Sequence, residues 1–130
     1  MRLLLDTHTF LWYVGGRTAL SETCYGLIEN TDNAVFVSTA SLWEVAIKVG
    51  LGKLELHGAH TVQELVEVGV YANRLELLGI TPAHLDGVRT LPRHHRDPFD
   101  RLLVAQALSD DLTLLSRDPA LSAYGVPVLW

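Results

Sequence analysis

Residues 2–12, RLLLDTHTFLW, decide how the rest of the chain is read. The run Arg2–Asp6 is short, rich in leucine and closed by an acid, which is the pattern of a buried strand. From His8 to about Gly15 the pattern turns helical, and Gly15-Gly16 stops it. A buried strand that hands over directly to a helix is the first half of a βαβ unit. Asp6 stands at that hand-over. A carboxylate closing an apolar strand costs desolvation energy unless something partners it.

Working outward, the same alternation continues. Ser21 caps a second helix that runs to about Asn30, and Thr31-Asp32-Asn33 forms the turn after it. Ala34–Ser38 is a second, β-branched strand. Ser41-Leu42-Trp43-Glu44 opens a third helix reaching Gly50, with Gly52 behind it as a stop. Thr61 to about Ala72 reads as a fourth helix and Leu75–Ile80 as a third strand. Thr81-Pro82 starts a further helix with a cap followed by proline. A loop from Pro92 to Arg96 leads into Asp97-Pro98-Phe99-Asp100 and the helix RLLVAQALSDD. Leu112–Ser116 is a strand, Pro119–Tyr124 a short helix and Val126–Leu129 a last strand. Strands alternating with helices specify an α/β fold: a mostly parallel central sheet flanked by helices on both faces, joined by right-handed crossovers. At 130 residues, with no repeat or linker, the chain reads as one domain, residues 1–130.

Composition narrows the function. The single cysteine, Cys24, has no disulfide partner and no thiolate companion for a metal; it fits a reducing compartment and a buried apolar position. The first sixteen residues carry one positive charge, and Asp6 and His8 break their apolar run, so they suit neither a signal peptide nor a membrane span. The expectation from these features is a cytoplasmic protein. Counted with glycine in place of tyrosine, the apolar share is roughly 53%, against about 45–50% for ordinary domains, which leaves apolar surface for a partner or a second copy. The net charge of −5 is unfavourable for phosphate contact in general. Positive charge is gathered locally, however, in Arg89, Arg93, His94, His95, Arg96 and Arg101. That cluster is either a basic rim for phosphate or a solvated loop.

In a parallel sheet all strands end at one edge, where open α/β sheets bind ligands. Asp6 ends the first strand, Glu44 lies on the opening turn of the helix after the second, and Asp118 follows the strand Leu112–Ser116. Asp100 opens the helix that precedes that strand. Two carboxylates about 4 Å apart repel by roughly 4 kcal/mol at an effective dielectric near 20, so four at one edge need protons or cations. Oxygen donors suit Mg²⁺ or Mn²⁺, and such a metal centre suits hydrolysis of phosphodiesters. Each acid also has a local explanation. Ser41 and Glu44 have the spacing of a capping box, Asp97 and Asp100 that of a capped helix start, and Asp118 precedes Pro119 as a cap would.

The segments LLLDTHTFLW, STASLWEVAIKVGLGKL, RHHRDPFDRLLVAQAL and LLSRDPALSAYGVPVLW together resemble the PIN-domain family. Within it they are similar to the VapC-type toxin ribonucleases with the D-P-F-D-R motif, in order over nearly the whole chain. The resemblance implies a Mg²⁺- or Mn²⁺-dependent endoribonuclease with Asp6, Glu44, Asp100 and Asp118 as catalytic metal ligands. It also implies an RNA substrate, a homodimer and a cognate antitoxin that inserts a segment near the acids. Asp97 is read as a cap that orients the site. Thr7 and Ser38 are read as hydroxyls that hold a water or a carboxylate, and Arg96, Arg101 and Arg117 as cations facing phosphate.

Other readings compete. A catalytically silent PIN fold used for protein or RNA binding, or a housekeeping RNA-processing nuclease, would share these motifs. An aspartyl-phosphate enzyme would use Asp6, but a haloacid-type phosphatase wants an acid at His8, and the last lysine is Lys53. Zinc is disfavoured: His94 and His95 are adjacent, and His57, His60 and His84 lack helical ligand spacing. Trp12, Trp43 and Trp130 are read as core or dimer packing in preference to base stacking. No glycine-rich phosphate loop is present.

Overall fold

In the computed structural model, which describes residues 1–16, 18–56 and 58–130, five parallel strands form one sheet in the order β3-β2-β1-β4-β5. The strands are β1 (Arg2–Leu5), β2 (Ala34–Ser38), β3 (Glu76–Leu78), β4 (Thr113–Leu115) and β5 (Val128–Leu129). His57, one of the histidines weighed for zinc, lies outside the described residues. β1 is central, and Leu5 stands opposite Val37 on one side and Leu115 on the other. Leu3, Leu4 and Leu5 are all fully buried. Each such side chain contributes about 1.5–3 kcal/mol relative to exposure, which is why this leucine run can only be an interior strand.

Alternation along the strands divides the core in two. Leu3, Leu5, Val35, Val37 and Leu115 face one layer, and Leu4 and Leu114 face the other. The first layer is covered by α1 (Thr7–Val14), α2 (Glu22–Glu29), α3 (Thr39–Gly50) and α4 (Val62–Leu65) through Phe10, Leu11, Cys24, Ile28, Leu42, Val45 and Leu65. The second is covered by α6 (Pro98–Asp110), through Leu103, Val104 and Ala107, and by a 3₁₀ turn at Pro119–Tyr124. Between them α5 (Pro82–Thr90) packs on α6. Gly87 permits that approach, since a Cβ there would stand 3.2 Å from the Cβ of Ala105. Cys24 is a buried free thiol whose pKa burial pushes up. No helix among the described residues is long and apolar enough to cross a membrane.

Several boundaries differ from the sequence expectation: β4 and β5 are shorter than Leu112–Ser116 and Val126–Leu129, and three further differences have local causes. α3 begins at Thr39, because Ser38, the last residue of β2, caps it by accepting from the Ala40 N–H. Glu44 therefore lies on the second turn, and Ser41 is inside the helix. The fourth helix leaves α geometry after Leu65: Val66–Val70 is a π-helical segment, followed by a 3₁₀ turn at Tyr71–Asn73. Its β-branched valines crowd an α turn. The wider turn seats Gly69 against Phe10 and Val14, where a Cβ would come within about 3.1 Å of the Val14 side chain. β3 is shorter than Leu75–Ile80 because its only partner, β2, ends at Ser38 opposite Leu78.

Candidate metal centre

The sheet order makes a crevice beside β1. From β1 the chain turns into α1 on one face, and from the neighbouring β4 it turns into the 3₁₀ segment on the other. Diverging connections of this kind open a cleft at the carboxyl ends of the strands. Asp6 occupies it. Its backbone N–H continues the ladder to the Leu115 carbonyl, 3.1 Å away, and its side chain caps α1 by accepting from the Thr9 N–H at 2.8 Å. The second carboxylate oxygen accepts from the Ser116 hydroxyl. The Ser116 oxygen in turn accepts from the Asp118 N–H at 3.1 Å, so one serine joins Asp6 to the loop carrying Asp118.

Glu44 reaches the cleft from α3. Its Oε1 accepts from the Thr7 hydroxyl at 2.7 Å, and Ser41 Oγ lies 3.0 Å from that same hydroxyl. The Oε2 meets Lys48 Nζ at 2.7 Å, one turn along the helix. Glu44 is buried, and the hydroxyl and the ammonium fix its orientation. The Ser41–Glu44 capping box does not form, since Ser38 is the cap; that local explanation for Glu44 falls away.

Asp100 lies on the first turn of α6, which Asp97 caps through the N–H groups of Phe99 and Asp100. Its carboxyl pKa is raised to about 7. Burial is the largest cause, followed by the negative charges of Asp97, Asp6 and Glu44; His95 acts in the opposite direction. Groups far apart in sequence thus act on one carboxyl. Asp118 caps the 3₁₀ turn through the Ala120 N–H, and its other oxygen lies 3.0 Å from His95 Nε2. The same nitrogen is 4.0 Å from Asp100 Oδ2. Ligand atoms of His95, Asp100 and Asp118 all lie within 4.8 Å of one another, in a group able to hold a divalent ion.

Residues 3–127 match the family model described as the PIN domain. The chain belongs to the PIN-domain family. Its fold is shared with solved structures at low identity. VapBC2 from Rickettsia felis, bound to a DNA fragment from the promoter, aligns with a TM-score of 0.70 and 16% identity, covering 99% of this chain and 98% of that one. DNA-bound VapBC from Salmonella typhimurium gives 0.70 and 15%, covering 99% and 97%. VapBC-1 from nontypeable Haemophilus influenzae gives 0.60 and 14%, again covering 99% and 97%. No curated protein sequence matches significantly.

In this PIN domain Asp100 and Asp118 join His95 in one ligand group, Asp6, Glu44 and Asp97 act on the Asp100 carboxyl by their charge, and Asp6 and Glu44 are not members of that group. The other expected contributors divide. Thr7 holds a carboxylate. Ser38 does not join the acids, because its hydroxyl donates to Gln106 Oε1 at 2.6 Å. Arg101 is turned inward: its guanidinium donates to the carbonyls of Pro92, Leu91 and Val88, at 2.7, 3.2 and 3.4 Å. Arg117 is exposed, its guanidinium 6.0 Å from the Trp12 ring. Arg96 is exposed and lines a basic cavity of about 630 Å³ with Arg93, His94, His95 and Arg101. Sequence reasoning did not single out Ser116 or assign His95 to the acids. The register of β1 and β4 would have found the serine, since the residues after Leu5 and Leu115 must be neighbours.

Proposed function

We propose that this PIN domain is a metal-dependent endoribonuclease and the toxin of a type II toxin–antitoxin pair. The observation that carries the reading is the gathering of His95, Asp100 and Asp118, whose ligand atoms lie within 4.8 Å of one another, with Asp6 and Glu44 near enough to act on the Asp100 carboxyl. Burial first, and then the charges of Asp97, Asp6 and Glu44, raises the pKa of Asp100 to about 7, as expected of a functional cluster. Asp6, Glu44, Asp100 and Asp118 would hold Mg²⁺ or Mn²⁺; their oxygen atoms suit a hard cation. When bound, that cation supplies Lewis acidity toward the phosphate and toward water.

The chain's own residues do the positioning. Thr7 and Lys48 set Glu44, Ser116 sets Asp6, and the α6 cap sets Asp100. Arg93, Arg96 and His94 offer donors to the RNA backbone in the basic cavity next to the acids. A chain with net charge −5 thereby confines phosphate attraction to one side of its cleft.

An antitoxin is supported by an apolar stripe on α3. Trp43, Ile47 and Leu51 recur every fourth residue and are 58%, 40% and 64% exposed, and Trp43 lies edge-on to Phe99. Ile47 and Phe99 share a cavity of about 370 Å³ with Glu44, Lys48 and Arg96, so a partner covering the stripe would reach the acids. A VapBC complex is the form in which the similar folds were solved. Homodimerisation and a cytoplasmic location complete the proposal.

The test is cleavage of rRNA, tRNA and mRNA by the purified protein with Mn²⁺ or Mg²⁺, beside Asp6→Asn and Asp100→Asn. Cleavage that needs metal and is lost in both variants supports the reading. No cleavage of any RNA favours a silent binding module, and cleavage retained in both variants sinks the site.

A further inference from the structure

The loop between α5 and α6 is built to present one side chain. Arg101 gives its guanidinium to three backbone carbonyls on the near side of that loop. On the far side, Tyr124 accepts the His95 N–H at 2.6 Å, and Asp97 caps α6 two residues on. The result is a His95 imidazole that is 19% exposed, with Nε2 facing the carboxylates of Asp118 at 3.0 Å and Asp100 at 4.0 Å. The ligand atoms of all three residues lie within 4.8 Å of one another, close enough to share one divalent ion.

We infer that His95 Nε2 is a ligand of this metal site and gives it a preference for Mn²⁺ over Mg²⁺. The inference rests on the metal-site reading above. It departs from an all-carboxylate site, because Mg²⁺ is held by oxygen whereas imidazole suits transition metals. The competing role is a hydrogen bond from His95 that merely orients Asp118 while touching no ion.

Pulsed electron paramagnetic resonance of the full chain loaded with Mn²⁺ separates the two. A coordinated imidazole gives ¹⁴N modulation of the bound-Mn²⁺ signal; this is expected for wild type and lost in His95→Gln. In competition, Mg²⁺ should displace Mn²⁺ from the variant at a concentration ratio at least about tenfold lower than from wild type, since a lost ligand acts no less than a lost partner outside the shell, which costs about 10–100-fold. Bound Mn²⁺ without nitrogen modulation in wild type overturns the inference and leaves the carboxylate site standing. So does modulation that persists in His95→Gln. Nitrogen coupling with an unchanged competition ratio overturns the stated preference. Failure of wild type to bind Mn²⁺ at all removes the metal-site reading and this inference together. The wild-type spectrum needs no variant, so a folding defect in His95→Gln cannot mask the answer.

Discussion

Two polar clusters lie on either side of the start of α3, and they are finished differently. Ser38 donates to Gln106, and Gln106 donates to the Gly79 carbonyl. The neighbouring His84 accepts the Thr81 N–H on Nδ1 and so presents Nε2–H to Asp110, 3.1 Å away. Ser38, Gln106 and His84 are almost wholly buried, each with fixed partners. The acid cleft is also well bonded, and no buried side-chain polar atom among the described residues lacks a partner. In the cleft, however, burial first and then the charges of Asp97, Asp6 and Glu44 raise the Asp100 pKa to about 7. The first cluster joins polar groups to fixed partners, whereas the second sets several carboxyl groups near one another.

The sharpest way to break that contrast is Asp100→Asn. It keeps shape and removes the charge the neighbouring acids resist. RNA cleavage should fall more than about 100-fold, beyond the range of partners outside the ligand shell. Metal-free stability at pH 8, read by thermal unfolding, should hold or rise. A loss of stability there would mean that Asp100 is structural.

The pH dependence sharpens the same point. The folded-state pKa of Asp100 lies above its unfolded value, so between about pH 4 and 7 the native state binds the extra proton. This contribution is full below the unfolded pKa and is lost as pH rises through 7. Metal-free protein should therefore lose stability across that window relative to Asp100→Asn. Saturating Mg²⁺ should restore it, by an amount that rises as pH approaches 7 and levels off above it, because the ion competes with the proton only where the carboxyl is protonated. A flat difference between the two proteins would remove the electrostatic argument.

Gln106→Leu tests the other cluster. It strips partners from the buried Ser38 hydroxyl and the Gly79 carbonyl, so denaturant unfolding should show a loss of about 1–3 kcal/mol. Metal affinity of the folded protein should change less than about threefold, below the 10–100-fold range of groups that orient ligands. A larger change in affinity would make the network part of the site.

Much of this was legible in the sequence, for a physical reason: leucine and valine runs with no polar face fit only interior parallel strands, and the edge where those strands end locates Asp6 and Asp118. The start of α3 was not legible. Ser38 and Ser41 are equally good caps, and the choice fell to the sheet, which runs β2 directly into the helix. The π-helical segment depends on Gly69 meeting Phe10 and Val14, a contact more than fifty residues apart. His95 stayed ambiguous because its placement depends on Tyr124, twenty-nine residues away. The inward hydrogen bonds of Arg101 were not legible either, since they depend on the loop carbonyls of Val88, Leu91 and Pro92.

The smallest expected effect falls on the scaffold behind the acids. Thr7→Val keeps the β-branched shape and deletes the hydroxyl that donates to Glu44. Glu44 retains Lys48, so its carboxylate stays paired but free to swing on one side. Calorimetric Mn²⁺ affinity should weaken about tenfold, the low end for a partner outside the ligand shell. Stability should fall by about 1 kcal/mol for one hydrogen bond. Ser41 meets Thr7 and is one step removed from Glu44, so the effect of Ser41→Ala on affinity should be smaller. Equal affinities in wild type and Thr7→Val would mean that Lys48 alone orients Glu44. A stability loss as large as that of Gln106→Leu would erase the distinction drawn between the two clusters, because both would then be holding the fold.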